Sequence, residues 1–516
     1  MKRKRLNYCL IAGLFLVLLA IYLFLNIKTN SYPWHNNIQI TRHSVDYALG
    51  FASFSFFLAL LIKKSKYLKY VAYVFVVLMF VNVLISTSVF YVYKEIFNRE
   101  MAYSIMSTSY KEASNISSTF YIPIFFSLIY IVFFSVFIEK LSQVIKINTL
   151  AYVVSILWIV IPICWTFKEK RDIEAYRITH PGYGVHYVEP KFVFQTFPSF
   201  YQGINYLNDI QAVKKYKPDF SLISKTINYD AIDKVVVVVG ESARKQNMSL
   251  YGYGRKTTPF EDKEKSNMFL YTDAVSPAFV TFQAVPLSLS SISMDTYAQN
   301  NFGDIADNII NVGRHFNRKT YWITGSKSEP EHILAYNAHQ LIKTEDSHDG
   351  YLLPEFKKLI KNKEKQLIVL HLLGSHADAK NNYPKTHTIF KNQNSLDEYD
   401  NSIAYTDYLL GQVFEDLRDT NSAVLYYSDH GQAYTNEKFF HAPSQEANMI
   451  PLFVWYGSKV PEALRKPGVE TRQTSSTIVY DLVLELMGLQ NSKSNKNDQA
   501  KFLKNGKVIP FNELKK

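Results

Sequence analysis

The first group in this chain that could do chemistry is a carboxylate at the end of a buried strand. Residues 235–239 are five consecutive valines, followed by Gly240 and Glu241. Such a run reads as a central strand of a parallel sheet, covered on both faces. In open α/β sheets, ligands and catalytic groups gather at the C-terminal ends of the strands. A carboxylate is too costly to bury there alone, so Glu241 calls for a metal ion, or for Arg244 if it only caps a helix. Other strand ends supply matching groups. The run 367–372 leads through His371 to Gly374, Ser375 and His376; the run 423–427 ends in Ser428, Asp429, His430 and Gly431; His441 follows soon after. Carboxylates with histidines make a hard-to-borderline ligand set for a divalent metal. Any one of these histidines alone reads as a structural or surface residue. Asp429 and His430 carry more, because both can face one ion while Gly431 lets the backbone turn closely. Ser242 invites comparison with a serine nucleophile, but the segment lacks the second glycine of a hydrolase elbow.

The elements that must position these groups alternate. Strands are expected at 235–239, 320–324, 367–372, 423–427 and 452–456, with helical periodicity at 304–316, 399–418 and 475–487. This alternation predicts a mainly parallel sheet with helices on both faces. A short edge strand is expected at 507–511, within a polar C-terminal segment.

Hydrophobicity is concentrated in the first third of the 516 residues. Five apolar runs, 8–27, 47–62, 71–93, 120–138 and 149–167, carry no Lys, Arg, Asp or Glu. Apart from the second, which is marginal, each has the roughly 17 to 25 residues that cross a hydrocarbon core as a helix. Basic residues precede the first run, separate the second from the third (Lys63, Lys64, Lys66, Lys69) and the fourth from the fifth (Lys140, Lys146). The positive-inside rule makes those places cytoplasmic and puts everything after the fifth run outside. The first run is read as a retained anchor, not a cleaved signal peptide. Residues 94–118 are expected to form an interfacial helix with loops. The domains expected are a transmembrane region 1–170, a membrane-lying bridge 171–232 and a soluble domain 233–516.

The net charge of +12 follows the same division: residues 1–170 hold 17 Lys and Arg against 6 Asp and Glu, and the remainder 40 against 39. This is a signal of topology and anionic membrane lipids, and it argues against nucleic-acid binding. Both cysteines, Cys9 and Cys164, lie in apolar runs, so the soluble domain can have neither disulfides nor a cysteine metal site.

Gly240, Glu241, Ser242, Ala243 and Arg244, followed by Ser249, Leu250, Tyr251, Gly252, Tyr253, Gly254, Arg255 and Thr257, Thr258, Pro259, resemble the signature of the phosphoethanolamine transferases. These are inner-membrane enzymes of Gram-negative bacteria in the alkaline phosphatase/sulfatase superfamily, with five spans before a periplasmic α/β domain. The resemblance implies that Thr281, shortly before Val285 and Pro286, is the nucleophile. It also implies that Glu241, Thr281, Asp429 and His430 bind a catalytic zinc, and that His376 and His441 hold a second zinc or the donor phosphate. His371, with Ser326 and Lys327 in the segment that receives the donor head group, would contact substrate. One or two zinc ions are implied, with manganese as the alternative. The donor would be phosphatidylethanolamine, and the acceptor lipopolysaccharide, lipid A or another periplasmic glycan; a monomer is expected. The chain departs from the family pattern in lacking cysteines beside the nucleophile, in Ser242 where threonine is usual, and in Gly325 and Ser326 where asparagine or glutamine is common. Two other readings are a phosphoglycerol transferase of the lipoteichoic-acid type and a non-catalytic membrane sensor on an enzyme fold. No cysteine or serine stands in the context that a sulfatase needs for formylglycine.

Overall fold

The computed structural model describes residues 2–25, 37–93, 97, 99–107, 120–145, 153, 156, 160, 164, 194 and 196–516, other than 230, 327–329, 346, 377, 393, 436, 493–498, 505 and 516. They fall into two units, Met1–Leu207 and Asn208–Lys516.

The first unit is helical: α1 (Lys2–Leu23), α2 (Asn37–Lys64), α3 (Lys66–Tyr93), α4 (Arg99–Ser107) and α5 (Tyr121–Val144). Among the described residues, Tyr47–Lys64, Lys66–Val92 and Tyr121–Val144 are long and apolar enough to cross a membrane, and Tyr8–Leu23 is a shorter apolar helix. The expected fifth span, 149–167, lies outside the described residues apart from four isolated positions. The second run, marginal in the sequence, is the apolar part of the 28-residue α2. Helix contacts are aromatic and aliphatic, with Phe51, Phe134 and Phe137 buried between α1, α2, α3 and α5. Polar side chains appear where they find each other: Thr87 and Ser127 share a hydrogen bond of 2.9 Å between α3 and α5. Lys69 pairs with Glu139 at 2.7 Å. Within 94–118, α4 is a helix of nine residues.

The second unit is built on an eight-stranded sheet. Its strands are β1 (Lys234–Gly240), β2 (Met268–Tyr271), β3 (Lys319–Thr324), β4 (Gln340–Lys343), β5 (Gln366–His371), β6 (Ser422–Ser428), β7 (Leu452–Tyr456) and β8 (Gly468–Glu470), in the order β8-β2-β7-β6-β1-β5-β3-β4. The valine strand is central, parallel to both β5 and β6. β3 and β4 continue the parallel part. β7 is antiparallel to β6 and to β2, so the strand expected at 452–456 is present but reversed. One face of the sheet, with Val236, Val238, Leu370 and Tyr426, packs against α9 (Leu352–Leu359) and α10 (Ser395–Leu417). The other carries α8 (Ile309–His315) and α11 (Val479–Leu486). The approach of α8 is close: a Cβ on Gly313 would stand 3.0 Å from Thr320 and 3.1 Å from Leu367. Residues 208–232, read in the sequence as bridge, join this unit, where Ile223–Lys225 pairs with Leu489–Asn491. The expected edge strand is Lys507–Pro510, in a hairpin with Lys501–Lys504.

Candidate active site

Parallel register brings the ligand-bearing strand ends together. Val239 stands opposite His371 and Tyr427, and Gly240 opposite Ser428, so Glu241 and Asp429 leave adjacent strands at the same level. Asp429 N donates to Gly240 O at 2.9 Å, extending the ladder by one bond. The loop after β5 comes close from the other side. Gly374 has φ +51°, and a Cβ there would lie 2.6 Å from Glu241 O, so only glycine fits. Asp349 supports this loop by accepting from Leu373 N and Gly374 N at 2.7 and 2.9 Å.

Thr281 opens α7 (Thr281–Leu289), the α-helix that follows α6 (Pro259–Glu264). Pro286 lies inside this helix and cannot donate to Phe282 O. The hydroxyl of Tyr297 bonds that carbonyl instead, at 3.1 Å. The helix thereby presents Thr281 Oγ1 to the strand ends: it donates to Glu241 Oε2 at 2.8 Å and stands 3.3 Å from His430 Nε2.

Two groups of ligand atoms result, each within 4.8 Å: Glu241 with Asp429 and His430, and Glu241 with His376 and His441. The first is fully buried. His430 Nδ1 faces Gly431 O at 3.1 Å, an acceptor only, so Nδ1 carries the proton and Nε2 keeps its lone pair. Asp429 Oδ1 accepts from Ser242 N and His430 N, while Oδ2 is buried 3.3 Å from His430 Nε2, and Thr281 also reaches the carboxylate. Burial and the charge of Glu241 push Asp429 well above the usual carboxylate range. Burial also raises Glu241, but His430, His376 and His441 outweigh it and hold Glu241 at about 2. That balance needs charged imidazoles, whereas burial pushes His430 and His441 down, toward the neutral form. Two buried carboxylates beside neutral histidines call for another cation. The donor set of oxygens and imidazole nitrogens fits zinc.

Ser242 belongs to the site as well. Its Oγ donates to Glu241 Oε1 at 2.6 Å and lies 3.1 Å from His441 Nε2. Its φ of +59° places it in the left-handed region. The rings of His376 and His441 are 5.6 Å apart and those of His430 and His441 4.5 Å. His371 is not brought to the group: it is 1 % exposed, its ring meets Trp322 edge-on, and burial lowers its pKa to about 4. A histidine so enclosed packs as part of the core beneath the strand ends. Ser326 lies just past the end of β3, two strands from β1, with its N–H donated to Thr324 Oγ1 at 3.0 Å. Lys327 lies outside the described residues.

Residues 233–489 match the sulfatase family. This domain belongs to that family. The sulfatase domain is related to the phosphoethanolamine transferases. The Escherichia coli K12 protein YhbX is 36 % identical over 283 residues, which cover 51 % of each chain. The chain spans about half the length of the curated relatives it matches. The integral membrane lipooligosaccharide phosphoethanolamine transferase A of Neisseria meningitidis has the same fold, with a TM-score of 0.59 at 18 % identity over 94 % of this chain and 96 % of that one. The C-terminal periplasmic domain of Escherichia coli EptC, solved in complex with zinc, matches with a TM-score of 0.50 at 20 % identity, over 58 % of this chain and 97 % of that one. A helical membrane region followed by a sulfatase domain is thus the architecture of the chain.

The signature residues that carried the resemblance do structural work in the sulfatase domain. Arg255 binds Asp400 and Asp397 at 2.6 and 2.7 Å and lies over the ring of Phe390. Asn247 also donates to Asp400, at 2.7 Å. The segment after Glu241 is thereby riveted to α10.

Proposed function

We propose that the sulfatase domain lies in the periplasm behind an inner-membrane anchor and transfers phosphoethanolamine from phosphatidylethanolamine to lipopolysaccharide, lipid A or another glycan. The reading rests on one observation above all: Thr281 Oγ1 stands in hydrogen-bond reach of Glu241 and His430, at the N-terminus of a helix and among groups that fit zinc. The names of the relatives support the choice of head group.

Glu241, Asp429 and His430 would hold zinc beside Thr281, with His376 and His441 placed for a second ion or for the phosphate. Bound zinc supplies positive charge that favours the alkoxide form of a hydroxyl and offsets charge on phosphate oxygens. The protein orients the reactants. Glu241 Oε2 directs the hydroxyl proton of Thr281 away from the attacking lone pair, and the positive end of α7 faces the phosphate. In the first displacement a bond forms between Thr281 Oγ1 and phosphorus while the bond from phosphorus to the glycerol oxygen breaks. Diacylglycerol leaves with the proton. In the second, an acceptor hydroxyl attacks the same phosphorus, and Thr281 regains a proton as its bond to phosphorus breaks.

Peptide mass spectrometry of full-length protein incubated with phosphatidylethanolamine tests this. Wild type gains one phosphoethanolamine group on Thr281; Thr281→Ala loses both that group and diacylglycerol release; Ser242→Ala keeps the modification. An adduct on Ser242, with Thr281→Ala still active, would refute the assignment.

A further inference from the structure

Tyr399, on α10, is not a metal-ligating residue, yet it touches both arms that carry the second ligand group. Its hydroxyl donates to Ser242 O at 2.6 Å and accepts from Arg244 N at 3.0 Å, spanning the turn that follows Glu241. That turn has to be held, because a serine at φ +59° persists only where its surroundings over-determine it. The face of the same ring stacks on Phe439, with centroids 3.9 Å apart and planes 11° from parallel. Phe439 belongs to the hairpin of Ala433–Thr435 and Lys438–Phe440, which delivers His441 directly afterwards. Tyr399 is 1 % exposed, and its neighbours Asp397 and Asp400 are fixed by Arg255, so the post itself is rigid. The span between the two arms is closed by Ser242 Oγ, which reaches Glu241 Oε1 and His441 Nε2 together.

We propose that Tyr399 is a positioning residue: it sets the separation of Glu241 from His441, and so the ability of Glu241, His376 and His441 to hold a second divalent cation. The first group depends less on it, since Asp429 and His430 follow directly from β6 and Asp429 N is tied to Gly240 O. The inference rests on the reading of these side chains as metal ligands, and its test separates the two.

Full-length protein in detergent is stripped with a chelator and titrated with cobalt(II) alone, read by its visible absorption. Wild type takes up two ions. Tyr399→Phe, which deletes only the hydroxyl, keeps the first and binds the second about tenfold to a hundredfold more weakly, with a changed spectrum for that ion. Phe439→Leu keeps the hydroxyl, loses the stack and weakens the same ion. Phe414→Leu, in the core of α10 against Trp455, lowers thermal stability and leaves both affinities alone. A merely structural role for Tyr399 would make its variant behave like Phe414→Leu, and unchanged cobalt binding in Tyr399→Phe overturns the proposal. If Tyr399→Phe does not fold, Phe439→Leu decides on the same criterion. A wild type that binds one ion also overturns it, leaving the first ligand group standing; one that binds none overturns the functional reading too.

Discussion

Asp429→Asn should stabilise the domain without metal and destabilise it with metal. The substitution is nearly isosteric: Oδ1 still accepts from Ser242 N and His430 N. What it removes is a charge. The ligand atoms of Glu241 and Asp429 lie within 4.8 Å, where two like charges repel by about 3 kcal/mol at an effective dielectric constant of about 20. For a domain of this size that corresponds to roughly 6 °C in Tm. The gain depends on pH. Asp429 has its folded-state pKa raised by burial and by Glu241, so wild type without metal is favoured at low pH and loses stability as pH rises through the folded pKa. The variant does not titrate there, so its advantage is near zero at about pH 4 and grows upward. Zinc at about a hundred times its Kd should add about 2.7 kcal/mol to wild type and much less to the variant, reversing their order. Thermal unfolding of full-length protein in detergent, with chelator and then with excess zinc, reads both effects. A variant that melts below wild type in chelator at every pH, or an equal response of both proteins to zinc, would refute the reasoning.

Arg255→Ala leaves Asp397 and Asp400 buried without their cation and should cost about 3 kcal/mol in denaturant unfolding, with Arg255→Lys recovering only part because one ammonium cannot span both acids. Asp349→Asn keeps one acceptor oxygen for two N–H groups and should cost about 1 to 3 kcal/mol. Burial raises Asp349 to about 6, so wild type loses stability as pH climbs toward that value, and the gap between the two proteins should narrow there in Tm measurements. Tyr297→Phe removes the hydrogen bond that its hydroxyl gives to Phe282 O in α7 and should lower stability by about 1 kcal/mol, with a larger proportional loss in the rate of Thr281 modification.

The parts legible in the sequence were those with one dominant cause. Five valines could only be a strand covered on both faces, and β1 is central with all five buried. The meeting of Glu241, Asp429 and His430 was legible because strand ends announce themselves. β2, β4 and β8 were not: they are three or four residues long, and β4 runs exposed, half-buried, half-buried, exposed, so no period of two has room to show. α7 was hidden by Pro286, which argues against a helix until the hydroxyl of Tyr297 is known to replace the missing donor. Thr281 was reached only through the resemblance. The places of Ser242 and Tyr399 are relations between a turn, a helix and a hairpin, and no local pattern records them.

The order of strands has a consequence for how the chain acquires its site. Ser242 meets Asp429 across 187 residues of sequence and His441 across 199, while β1 has no pairing partner in the large sheet before β5. Loops of that length must close before any long-range contact repays them, which makes folding slow. During synthesis the valine strand therefore waits, both edges open, until more than a hundred later residues have emerged. An apolar strand in that state is what aggregation recruits. A ribosome stalled between β1 and β5 should thus yield a chain that depends on holding factors, and folding competence should appear abruptly once β6 and the hairpin before His441 are free.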